Sequence, residues 1–158
     1  MKIIAIEPIG IGPERLIEIQ NHYAAYGHTF ILYPDRNEKP VVITQRMQNA
    51  DIAIVSNLPI PESILSQCSH LKCIAVAFTG IDHIDTTYCR AHNIHICNAA
   101  GYATHAVSEL TIGLILDVYR HLSEMEVQTR QLKDRNNFLG RELYGKTAGI
   151  IGTGAIGR

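Results

Sequence analysis

Leu71-Lys72-Cys73-Ile74-Ala75-Val76-Ala77-Phe78, running into Thr79-Gly80-Ile81-Asp82-His83-Ile84-Asp85, decides how the chain is read. Its apolar run is short and does not alternate, which predicts a strand buried on both faces. Strands of that kind belong to parallel sheets sandwiched between helices. Thr79 to Ile84 reads as a loop, and Asp85 suits the N-cap of a helix over Asp85 to His92. Asp82 is expected to steady the loop by accepting backbone N–H bonds. A catalytic dyad of Asp82 and Asp85 is the less economical reading.

The same alternation continues on both sides. Lys2 to Glu7 is a first strand closed by Pro8 and Gly10, and Pro13 opens a helix to about Tyr26, which Gly27 stops. His28 to Tyr33 is a second strand, Pro40 to Ala50 a helix in spite of its β-branched residues, and Asp51 to Ser56 a third strand. Pro59 and Pro61 mark a loop before a short helix ending near Cys68. Ile94 to Cys97 is a fifth strand. Strand and helix alternating in this way imply right-handed crossovers. Residues 1 to about 100 are thus expected to form an α/β domain, an open, doubly wound and mostly parallel sheet of flavodoxin-like type. A sheet with one antiparallel edge is the alternative.

From Thr104, read as an N-cap, to about Lys133, only Gly113 interrupts a helical pattern. Thirty helical residues would be about 45 Å long, which suits a helix bridging domains or subunits. Ala106 to Leu122 is apolar nearly all round and should be buried on several sides, whereas Ser123 to Arg135 is mostly polar. A domain boundary is placed near Ala100 to Thr104, dividing the chain into 1–100 and 101–158. Lys146 to Ile151 then reads as a further strand.

That strand leads into Gly152-Thr153-Gly154-Ala155-Ile156-Gly157, a full G-x-G-x-x-G. The spacing permits a tight turn, close approach of a pyrophosphate, and close helix–strand packing. A glycine-rich connection without a ligand is the plainer alternative. A dinucleotide site also needs a helix N-terminus and, about 20 residues on, an acidic residue for the ribose. Both would lie past Arg158, so the chain looks cut through its own cofactor site.

Composition narrows the field. Of 158 residues, 46% are hydrophobic and 18% charged, which excludes a disordered chain, and a net charge of −1 gives no footprint for nucleic acid or an anionic membrane. No apolar run approaches the roughly 20 residues of a membrane span. Cys68, Cys73, Cys89 and Cys97 form no C-x-x-C pair and read as reduced thiols of a cytoplasmic protein. His92, His95 and Cys97 lie close in sequence but lack the repeated spacing of a zinc site, so no metal is expected. His105 and Glu109, one turn apart, read as an ion pair or helix-start contact.

Three blocks carry a family resemblance: Leu71 to Asp85, Asn98-Ala99-Ala100-Gly101-Tyr102-Ala103-Thr104-His105-Ala106-Val107-Ser108-Glu109-Leu110-Thr111, and Lys146 to Arg158. In that order they resemble the substrate domain, the entry to the interdomain helix and the cofactor loop of D-isomer-specific 2-hydroxyacid dehydrogenases. The resemblance implies an NAD-dependent oxidoreductase interconverting a 2-oxo acid and a D-2-hydroxy acid. It implies a substrate domain, a long interdomain helix, and the first strand of a Rossmann domain that is truncated here.

Carried over by resemblance, the N–H groups of Thr79 and Gly80 hold the substrate carboxylate, with Asn57, Leu58 and Phe78 alongside. Some relatives have lysine at the place of Leu58, and many have glycine at that of Phe78. The cofactor would meet Gly152, Gly154, Ala155, Ile156, Gly157 and Arg158. Tyr102, at the hinge, would contact substrate or pack between domains. The family's catalytic arginine, carboxylate and histidine follow the glycine loop, so the chain by itself is expected to be inactive and to bind NAD weakly or not at all. The intact enzyme is expected to be a cytoplasmic homodimer joined through the 104–122 helix, acting on small acids such as glycerate or lactate. Two other classes stand beside this one: a non-catalytic α/β dimerisation module whose 147–151 strand is an exposed edge, and a receiver or flavin domain suggested only by layout.

Overall fold

The computed structural model describes residues 1–134 and 139–158. Five four-residue strands, β1 (Lys2–Ala5), β2 (Thr29–Leu32), β3 (Ile52–Val55), β4 (Cys73–Val76) and β5 (His95–Asn98), form one sheet in the order β2-β1-β3-β4-β5. All four pairings are parallel, so no antiparallel edge occurs among the described residues. This is the doubly wound order in which the strand sequence reverses beside β1. The helices between strands are α1 (Pro13–Ala25), α2 (Pro40–Met47), α3 (Glu62–Leu65) and α4 (Thr86–Ala91).

Local chemistry explains the boundaries. Pro13 and Pro40 stand at the first turns of α1 and α2, where a missing N–H costs nothing. Gly27, at φ 72°, takes the left-handed conformation that ends α1. Asp85 caps α4 by accepting the Tyr88 N–H at 2.9 Å.

Alternation along the strands divides the core. Ile4, Ala53, Val55, Ile74 and Val76 join Ile43, Met47, Ile64, Leu65 and Cys89 in the main core, against α2, α3 and α4. On the opposite face, Ile3, Ala5 and Phe30 pack with Leu16, Ile19 and Tyr23 of α1, and Tyr23 stacks on Phe30 at 5.8 Å. β4 departs from the expectation of burial on both faces. Ile74 and Val76 are buried, but Cys73 and Ala75 are half-buried, because the second core is built around β1, β2 and β3.

The chain divides into two compact units, 1–100 and 101–158. In the second, the expected single helix is two: α5 (Thr104–Arg120) and α6 (Leu122–Arg130), separated by His121 in the left-handed region at φ 53°. The break exchanges hydrogen-bond partners. A continuous helix would join the Ser123 N–H to the Tyr119 carbonyl. Instead the Asp117 carboxylate accepts from both Ser123 N and Ser123 Oγ at 2.7 Å, and the Arg141 N–H donates to Tyr119 O at 2.7 Å. Those Ser123 bonds hold the Asp117 carboxyl below its ordinary range. Gly140 permits the approach, since a Cβ there would come within 2.9 Å of Arg120 Cα and Tyr119 O.

Three further expectations fail in this unit. Ala103, not Thr104, stands at the N-cap of α5. The apolar side chains of α5 are not buried: Leu110, Ile112, Leu114 and Val118 are all more than half exposed. Residues 146–151 form no strand, because their N–H and C=O groups meet no neighbouring strand among the described residues. The tail of the expected long helix reaches 135, outside the described residues.

Candidate functional site

A parallel sheet delivers the ends of all its strands to one edge. The loops 6–12, 33–39, 56–61 and 77–85 therefore gather at the carboxyl edge of unit 1. Backbone rungs continue past the strands there: Ile6 N to Ile54 O at 3.0 Å, Tyr33 N to Ala5 O at 2.9 Å, and Ala77 N to Val55 O at 2.8 Å.

Glu7 organises this edge. It is 1% exposed, and a buried carboxylate must find donors to offset its lost hydration. Its Oε1 accepts the N–H groups of Ser56, Asn57 and Leu58 at 2.7, 3.1 and 3.2 Å. Its Oε2 meets Arg36 Nη1 at 2.6 Å. The same Arg36 nitrogen donates to Asn57 Oδ1 at 2.5 Å, and Arg36 Nε donates to Glu38. Three loops are thus joined through one carboxylate and one guanidinium.

A second arginine braces the edge from α2. Arg46, 8% exposed, donates to the carbonyls of Ile6 and Asp35 at 2.7 and 2.8 Å and forks onto both Asp35 carboxylate oxygens. Its guanidinium lies 4.3 Å from the Tyr33 ring centre, within cation–π range. Glu7, Arg36, Asp35 and Arg46 were all missed from sequence. The available signal was a carboxylate two residues past an apolar strand, where Glu7 had been read only as the end of that strand.

The sequence-derived site residues divide. Asn57, Phe78, Thr79 and Gly80 are exposed at the edge. Leu58 is not: its side chain is fully buried in the main core and its N–H is held by Glu7, so it presents no side chain there. The loop after β4 is fixed by Asn98 Nδ2 donating to Thr79 O at 2.7 Å, by Ala99 N to Phe78 O, and by a bridge between Ile60 and Ile84. Asp82, expected to accept backbone N–H bonds, accepts none among the described residues; Ile81 O takes the Ile84 N–H at 3.0 Å instead. The N–H groups of Thr79 and Gly80 have no internal acceptor among the described residues. Two clefts of roughly 350 and 420 Å3 lie away from this edge, along α2–α3 and α1.

The glycine turn belongs to the second unit. Gly152 has φ 95°, and a Cβ on Gly157 would collide with the Gly152 carbonyl, so both positions require glycine. Ser108 Oγ of α5 lies 3.2 Å from the Ile156 carbonyl. The described residues include neither a strand leading into this turn nor a helix leaving it. Gly152, Gly154, Ala155, Ile156, Gly157 and Arg158, the residues expected to meet the cofactor, all lie on this turn.

Other candidates resolve simply. All four cysteines are free thiols. Burial pushes Cys68 up to about 11, and it raises Cys89, with a smaller contribution from the Asp85 charge. His92 stacks on Tyr88 at 3.8 Å, and its Nδ1 lies 3.0 Å from the Tyr88 carbonyl. No ion pair joins His105 to Glu109, and no cluster of three metal-ligating side chains occurs among the described residues. No helix among them is long and apolar enough to cross a membrane.

The sequence profile of the D-isomer specific 2-hydroxyacid dehydrogenase catalytic domain matches residues 7–152. The chain is 33% identical over 118 residues to D-3-phosphoglycerate dehydrogenase of Methanocaldococcus jannaschii, covering 73% of this chain and 22% of that protein. It is 34% identical over 127 residues to glycerate dehydrogenase of Methylorubrum extorquens, covering 75% and 40%. The crystal structure of D-lactate dehydrogenase from Aquifex aeolicus, complexed with NAD and lactic acid, superposes with a TM-score of 0.78 at 27% identity, over 99% of this chain and 46% of that one. The chain thus spans less than half the length of these relatives. With the parallel sheet, the carboxyl-edge loops and the glycine turn all in place, the chain belongs to the D-isomer specific 2-hydroxyacid dehydrogenase family.

Proposed function

We propose that this chain is the substrate-binding part of an NAD-dependent oxidoreductase that interconverts a small 2-oxo acid and its D-2-hydroxy acid. The observation that carries this is the contrast between two adjacent loops. The amides of 56–58 are occupied by Glu7, whereas those of Thr79 and Gly80 are exposed and lack an internal acceptor among the described residues. Two N–H groups on a loop held by Asn98 and the Ile60–Ile84 bridge suit a carboxylate and bring no desolvated charge. Asn57 and Phe78 lie in the loops that follow the neighbouring strands β3 and β4.

When bound, NAD supplies or accepts the hydride. The residues of this chain act on the acid: Thr79 and Gly80 orient its carboxylate, and Asn57 offers a side-chain amide. The arginine, carboxylate and histidine that polarise the carbonyl and move the proton come from a second domain in this reading, so no catalytic residue is assigned to this chain. The whole enzyme is a cytoplasmic homodimer. Pairing through the 104–122 helix is supported by the exposed Leu110, Ile112, Leu114 and Val118 of α5.

NADH oxidation with glyoxylate, hydroxypyruvate and pyruvate tests the reading. A polypeptide joining this chain to a complete second domain is expected to reduce at least one of them, and the 158-residue chain none. Reduction by the 158-residue chain itself would place catalysis elsewhere, and an inert joined protein would refute the assignment.

A further inference from the structure

We infer that Arg36, held by Glu7, is a positioning residue that sets the Asn57 side-chain amide with its NH2 group turned outward as a donor for a substrate oxygen. This rests on the substrate reading above and adds residues which that reading does not use. Arginine carries only donors. By donating Nη1 to Asn57 Oδ1 at 2.5 Å, Arg36 fixes which end of the amide faces inward. The acceptor end is consumed, and the Nδ2 hydrogens point the other way, with no acceptor among the described residues. Glu7 fixes Arg36 through Oε2 and the Asn57 backbone through Oε1, so both ends of the Asn57 side chain are referred to one buried carboxylate.

The placement is apt. Val55 and Val76 are paired at the ends of their strands, and Asn57 and Phe78 each follow two residues later in the loops leaving that same edge, Phe78 leading directly into the Thr79–Gly80 amides. An outward amide donor there complements two backbone donors against a molecule that carries oxygens at adjacent carbons. It also makes a cation at position 58 dispensable: a neutral donor on Asn57 serves where Leu58 brings no charge.

Titration of the isotope-labelled 158-residue chain with oxamate, a 2-oxo acid analogue, tests this by following the Thr79 and Gly80 amides and the Asn57 side-chain NH2 group. All three are expected to shift with one Kd. Asn57→Asp retains the bond from Arg36 but replaces the donor with a negative charge, and is expected to abolish binding. Arg36→Met is expected to raise Kd about tenfold, equivalent to one oriented hydrogen bond, and Arg36→Lys to recover most of it. Gly27→Ala, remote and strained, controls for lost stability and should leave Kd unchanged. Movement of Thr79 and Gly80 with an unmoved Asn57 NH2, or an unchanged Kd in Arg36→Met, would overturn the positioning role and leave the carboxylate reading standing. If no resonance moves, the substrate reading falls and takes this inference with it.

Discussion

The two units of this chain treat apolar side chains in opposite ways. In 1–100, Ile4, Ile6, Val55 and Ile74 are almost wholly sealed between the sheet and its helices, and every buried residue of the described chain lies at or before Ile94. In 101–158, α5 bears Leu110 and Ile112 at 60% exposure and Val118 at 73%. The difference does not lie in hydrophobicity. It lies in closure: five strands and four helices supply both sides of a core, whereas two helices and an irregular tail supply only one side of theirs.

The strongest way to break this contrast is to attack the polar knot that holds the carboxyl edge of the first unit. Glu7→Ala leaves the amides of Ser56, Asn57 and Leu58 without their acceptor and removes one of the three acceptors of Arg36, and should cost roughly 3 kcal/mol in urea denaturation. A loss below about 1 kcal/mol would mean that water replaces the carboxylate without strain. Arg46→Met should follow at about 2 kcal/mol, removing four donations and the stack on Tyr33. Arg46→Lys should recover less than half, because an ammonium cannot fork onto Asp35.

Smaller effects sharpen the comparison. Gly27→Ala forces a Cβ into φ 72° and should cost about 1 kcal/mol in the same measurement. Asp51 reports on acid. The hydrogen bond from Lys72, reinforced by the Lys2 N–H, lowers its carboxyl from 3.8 to about 2. Because the folded value is depressed, its contribution is fully present above the unfolded value and is lost as pH falls through the folded one. Wild type should therefore lose stability between pH 3.8 and about 2 more steeply than Asp51→Asn, as read from acid melting curves. Least of all, removing 101–158 should leave the denaturation of the sheet unchanged, since no buried residue is lost. A shift of its midpoint would show that the units stabilise each other.

The sheet was legible in the sequence because its information is local. Proline at helix starts, Gly27 at a stop, Asp85 at a cap and short apolar runs between them each act within a few residues. Cys73 and Ala75 show where that ends: their run is apolar throughout, but whether both faces are covered depends on how far α1 extends. The break at His121 was illegible for a different reason. No glycine or proline marks it, and it depends on Asp117 reaching Ser123 while Arg141 claims Tyr119, a contact 22 residues away in the chain. Glu7 and Arg36 were hidden likewise, since their partners lie 49 to 51 and 21 residues away. The glycine motif was legible as a turn, because a turn needs only its own residues: Gly152 at φ 95° and Gly157 against the Gly152 carbonyl.

The knot of Glu7, Arg36 and Asn57 also bears on how such a domain can be recombined. Loops at the carboxyl edge of a parallel sheet are usually treated as interchangeable parts, each spliced in between fixed strand ends. Here 6–12, 33–39 and 56–61 share one carboxylate and one guanidinium, and 56–61 is tied in turn to 77–85 through Ile60, His83 and Asp85. A transplant of any one loop from a relative would import a mismatch into the others. In this chain the edge is built as a set, and an exchange that keeps its bonds would have to move all four loops together.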